Sequence, residues 1–129
     1  MASFMAPYTS HTYAALRVVA GFLFLWHGVG KLFAYPTAPS SEAPAFVLYV
    51  AGPIELVGGL LLVVGLFTRW TAFVCSGLMA AAYWMAHGLN HPLPIVNHGE
   101  LAALYCFVFL FISANGAGSF SLDAMRAKT

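Results

Sequence analysis

Charge is what this sequence has least of. Four acidic and five basic side chains serve 129 residues, 7% charged against 61% hydrophobic. A water-soluble domain carries about 25% charged residues, so a soluble surface cannot be built over this length. The net charge is +1 and no lysine or arginine cluster exists to grip phosphates, which excludes a nucleic-acid surface. Thiols are scarce too: Cys75 and Cys106 are the only two, and no CxxC, CxxCH or HExxH pattern occurs. There is no haem, flavin or iron–sulfur motif. Ten-residue alternation of apolar and polar residues is also missing, which excludes a membrane barrel.

What the sequence does have is long apolar runs, at about 14–33, 44–67, 70–88 and 98–115. A helix needs roughly 20 apolar residues to cross a bilayer core, and an open sheet would strand backbone groups in lipid. The pattern predicts an all-α integral membrane four-helix bundle forming a single domain over 1–129. The first run is read as a retained helix, because nothing basic precedes Arg17 and the stretch is long for a signal peptide. AYPTAPSSEA (34–43) and LNHPLPIVN (89–97) are loops rich in proline and polar residues, and SFSLDAMRAKT is a polar tail. Between the second and third helices only Thr68 and Arg69 remain, predicting a tight hairpin. Arg17, Arg69, Arg126 and Lys128 fall on the side of the chain ends and Lys31 alone falls opposite. Lysine and arginine mark the inner side, so both termini are expected in the cytoplasm.

Threaded this way, the polar residues of the helices gather toward the outer half. On helix one Ala20, Gly21, Phe24, His27, Gly28 and Lys31 share a stripe at helical spacing, and small residues on a stripe admit a neighbouring helix. In helix two Gly52, Glu55 and Gly59 share a face, with Pro53 predicting a kink beside Glu55. An ionisable group at this depth costs at least ~2.5 kcal/mol and usually pairs or marks function. The candidate catalytic and ligand-binding residues are therefore His27, Lys31 and Glu55, converging on one outer pocket. A salt bridge that only locks two helices is the alternative.

Trp26 and Trp84 lie near the outer boundary, as belt residues or as walls for a planar ligand. Asn97 and Glu100 have the spacing of a capping box, and either also brings a polar group to the cluster. His87 and His91 are four apart, and with His98 are weak metal candidates; loop histidines are the plainer reading for His11, His91 and His98. Cys75 and Cys106 differ in depth by roughly 10 Å, too far for a disulfide, and read as small core residues.

The ordered set HGVGK (27–31), GPIELVGGLLLVVGLFTR (52–69), NHGELAALY (97–105) and GAGSFSLD (116–123) resembles the DoxX family. His27, Lys31, Glu55, Arg69, Asn97, Glu100 and Asp123 fall on the family's pattern. The resemblance implies a small four-helix protein of the bacterial inner membrane with an association to redox chemistry. Relatives include the membrane subunit of a thiosulfate:quinone oxidoreductase, and others are linked to oxidative-stress assemblies containing superoxide dismutase and a sulfurtransferase. It carries over no catalytic residue. Three functions compete: a redox subunit with a pocket for a quinone or small sulfur compound, a small-solute channel or transporter, and a scaffold recruiting a soluble enzyme. Expected partners are the lipid bilayer and a protein subunit or second copy; quinone is the possible cofactor.

Overall fold

The computed structural model describes residues 4–40 and 43–128, and among them every regular element is helical. Residues 41 and 42 of the 34–43 loop, and the final residue of the polar tail, lie outside the described residues. A 3-10 turn at Ala6–Tyr8 leads into α1, Thr9–Phe33. His11 therefore sits on a helix rather than in a loop. α1 buries Ala14, Arg17, Ala20, Gly21, Phe24, Gly28 and Gly30, most of them on one stripe at helical spacing. Its partner is α2, Gly52–Val64. The two backbones touch: a Cβ on Gly21 would lie 2.9 Å from the Gly59 carbonyl oxygen, and one on Gly28 would lie 2.7 Å from that of Gly52.

The kink expected at Pro53 takes the form of a widened turn. Val47–Ala51 is π-helical, and the Gly52 N–H bonds to the carbonyl of Val47, five residues back. This shifts the ladder ahead of a proline that has no N–H to donate. The following turn departs from expectation. α2 stops at Val64, Gly65 and Phe67 adopt positive φ (70° and 50°), and Thr68 and Arg69 open α3, Thr68–Ala82. The Leu66 N–H reaches back to the carbonyl of Leu61, the Schellman closure that a glycine past the helix end permits.

α3 continues through a second π-helical stretch, Tyr83–Gly88. After a short α4, Pro94–Asn97, comes α5, Glu100–Asn115, and then α6, Leu122–Arg126. α1 lies along α2 and α3 along α5, and the two pairs meet through α2 and α3. Phe24 bridges them, its ring centroid 4.8 Å from Phe109 and 5.6 Å from Tyr105. Leu62, Ala72, Cys75, Met79 and Ile112 complete the core. Both cysteines are free thiols.

Ala6–Phe33 and Val47–Val64 are long and apolar enough to cross a membrane. The other two expected spans are weaker for physical reasons. α5 is apolar but 16 residues long, and α3 opens on Thr68 and Arg69 and carries Thr71 and Ser76.

The end of the bundle where the two ends of the chain meet is closed by polar caps that the sequence pattern did not reveal. Arg17 is fully buried, donating to the carbonyls of Leu62, Val63 and Phe120. It neutralises the C-terminal end of α2. Arg69 does the same for α5, donating to the carbonyls of Ser113, Ala114 and Asn115. Asp123 accepts from the N–H groups of Phe67 (2.9 Å) and Thr68 (2.8 Å), capping α3 from a distant part of the chain. The presumed polar tail is thus a docked element.

Candidate functional site

The opposite end holds an ion pair whose acidic partner is buried. Lys31 lies in the last turn of α1 and Glu55 in the first turn of α2. The Gly28 and Gly52 contact brings these helices close enough for Lys31 Nζ to donate to both carboxylate oxygens of Glu55, at 2.5 Å each. The pair is asymmetric: the Lys31 side chain is 22% exposed and that of Glu55 3%. His27, one turn before Lys31, sets its ring edge-on to Tyr105 with centroids 6.2 Å apart. Among the described residues neither ring nitrogen of His27 has a hydrogen-bond partner.

These three side chains line one cavity of about 330 Å³ between the two helix pairs. Its apolar wall comes from Phe24, Leu78, Met79, Leu101, Ala102 and Tyr105, and His87 and His98 face it from the α3 and α5 side. Both π-helical stretches contribute to it, through Val47 and Ala51 and through Met85, Ala86 and His87. Such widened turns are frequent at functional sites. His87 Nδ1 lies 2.9 Å from the carbonyl oxygen of Asn97. A carbonyl only accepts, so Nδ1 carries the proton, and in the neutral ring Nε2 is left as an acceptor.

The remaining sequence candidates separate. Trp26 lines a neighbouring cavity, with His27 and Lys31. Trp84 packs edge-on against Tyr83 at 5.3 Å and is 59% exposed, not a wall of the main cavity. The capping box does not form. Asn97 ends α4, its side chain donating to Tyr83 Oη and the His91 carbonyl and accepting from the Gly99 N–H. Asn97 is a loop brace because His98 turns to positive φ directly after it, which delays α5 to Glu100. Glu100 is exposed at that helix start.

The metal candidates do not gather: His91 Nδ1 accepts from the Leu93 N–H beyond the end of the α3 segment. Among the described residues no three His, Cys, Asp or Glu side chains group as ligands. The sequence offers His87 as a metal candidate and His98 more plainly as a loop histidine; their place beside the cavity that His27 lines follows from the fold of the 89–99 loop, which periodicity does not encode.

A bundle of apolar helices, two of them long and apolar enough to cross a membrane, has the character of a membrane-type protein. The DoxX family profile matches residues 12–88, and the chain belongs to that family. It is 42% identical to an uncharacterized protein of Haemophilus influenzae over 125 residues, covering 92% of this chain and 93% of that one. It is 40% identical over 112 residues to a Bacillus subtilis protein named "Putative oxidoreductase CatD", covering 84% of this chain and 81% of that one. No solved structure matches.

Proposed function

We propose that this protein is a multi-pass subunit of the bacterial inner membrane, associated with a redox system, and that the cavity takes a quinone headgroup. The observation that carries the reading is the arrangement of polar groups on both flanks of an apolar slot. His27, Lys31 and Glu55 stand on the α1 and α2 side, His87 and His98 on the α3 and α5 side. A quinone is a flat apolar ring with an oxygen at each of two opposite edges, and that distribution suits it. Tyr105 and Phe24 offer aromatic surface to the ring. His27 and one proton of Lys31 supply donors at one oxygen. At the other, Nε2 of His87 accepts from the hydroxyl of the reduced form.

The family and the oxidoreductase named among its relatives support a redox setting. Electrons come from a partner subunit or leave on the quinone itself, since the sequence carries no motif for another redox group. A small sulfur compound is the competing ligand within the same reading.

The test is ligand-dependent stability of the purified protein in mild detergent. Decylubiquinone, an analogue with a fully substituted ring, raises the unfolding midpoint, because a ligand at 100 times its Kd stabilises by about 2.7 kcal/mol. The shift shrinks in His27→Ala. A shift with thiosulfate and none with the quinone overturns the ligand assignment, and no shift with either overturns the pocket.

A further inference from the structure

A second cavity adjoins the first. Trp26, Gly30, Thr37 and Pro39 bound it, and its volume is about 300 Å³, far above the ~15 Å³ that admits one water. The chain after α1 forms its roof. Ala34 turns to a φ of 53°, and the Thr37 carbonyl returns over Gly30, where a Cβ would lie 3.0 Å from that oxygen. Residues 36–38 are exposed, so this chamber faces the surroundings at the end of the bundle away from the chain ends.

His27 and Lys31 line both chambers, and they are not equivalent. Lys31 is held by both oxygens of Glu55 and is a fixed post. His27 has no hydrogen bond holding it among the described residues, and its contact with Tyr105 is an edge-on ring packing. It is the one of the two that no hydrogen bond anchors.

We propose that the outer chamber is a second subsite, filled by water or a small hydrophilic reactant, and that His27 is the divider through which it meets the apolar cavity. The site then has a lipid-type ligand on one side of the imidazole and an aqueous one on the other. The quinone reading supplies only the identity of the apolar ligand.

The test is thiol accessibility in liposomes, on a Cys75→Ala, Cys106→Ser background. Ala38→Cys places a thiol in the outer chamber and Ala102→Cys one in the apolar cavity. A membrane-impermeant sulfonated methanethiosulfonate modifies the first freely and the second at least ~10-fold more slowly, since exchange follows access. Adding His27→Ala removes the divider and brings the Ala102→Cys thiol close to the rate of the first. His27→Leu, which keeps the bulk, leaves it slow, and 4-methylimidazole slows it again in the His27→Ala protein. A thiol at Ala38→Cys that the reagent cannot reach, or one at Ala102→Cys that stays slow without His27, overturns the proposal. Decylubiquinone protection of Ala102→Cys from a lipophilic maleimide is read separately. Its failure counts against the quinone and leaves the divider standing.

Discussion

Removing Lys31 should harm this protein more than removing Glu55, although the two form one ion pair. Lys31→Met leaves a carboxylate that is 2% exposed with its only donor among the described residues gone. Breaking a buried pair in this way costs about 3–5 kcal/mol. Glu55→Leu leaves an ammonium on a flexible stem that already reaches the outer chamber and can turn toward it, so the loss is about 1–3 kcal/mol. Glu55→Gln costs less again, since its carbonyl oxygen still accepts from Lys31. In the double variant neither charge is stranded, and apolar replacement of both partners is often neutral. The cycle should then show a coupling of about 4 kcal/mol or more between the two sites. The assay is reversible unfolding in mixed micelles, titrated with SDS and followed by far-UV circular dichroism. If Glu55→Leu proves the costlier single change, or if the two losses simply add, the asymmetry of the pair is not what sets its energetics.

Asp123→Asn should cost about 1 kcal/mol through the weakened cap on α3, with a defined pH dependence. Partial burial raises the Asp123 carboxyl, but the N–H groups of Thr68 and Phe67, and Arg126, together hold it below the ordinary aspartate value. Its contribution is present above about pH 4 and is lost as pH falls through the lowered folded value, so the two proteins converge in acid unfolding curves. Gly28→Ala drives a Cβ into the α2 backbone and should cost at least 1–3 kcal/mol by roughly the usual measure of overpacking. Gly77→Ala, where a Cβ meets nothing within 4 Å, should be neutral or gain up to about 1 kcal/mol of helix propensity; thermal unfolding of both decides it. A reporter fused after Thr129 should be active only in the cytoplasm and one inserted at 36–43 only outside, and the reverse pattern would invert the orientation proposed for the site.

The apolar runs made the helices legible, and the stripe ending at His27 and Lys31 made the α1 and α2 contact legible, because glycines at helical spacing admit little else. Glu55 pointed at its partner because a carboxylate in an apolar helix needs one. The helix ends were not legible. Gly65 and His98 break their neighbours through positive φ, a property of three-dimensional closure that a hydrophobic pattern does not carry. Asn97-x-x-Glu100 spelled a capping box whose asparagine has its side chain engaged by Tyr83, His91 and Gly99. The role of Arg17 was not legible either, because an arginine near the start of an apolar run shows which side it lies on and not what it bonds to. Here it is a buried staple whose acceptors lie 45 and 103 positions further along the chain.

That staple has a consequence for biosynthesis. Residues 116–123, which supply the Phe120 carbonyl to Arg17 and the Asp123 carboxylate to α3, emerge from the ribosome only after all four long helices have been made. Until then the guanidinium of Arg17 lacks one acceptor and the start of α3 lacks its cap. The core that Phe24 bridges can therefore assemble first, and this end of the bundle is clasped afterwards, by a segment made later than its helices. A ribosome paused before residue 116 would hold an unclasped precursor in the bilayer, exposed to membrane proteases.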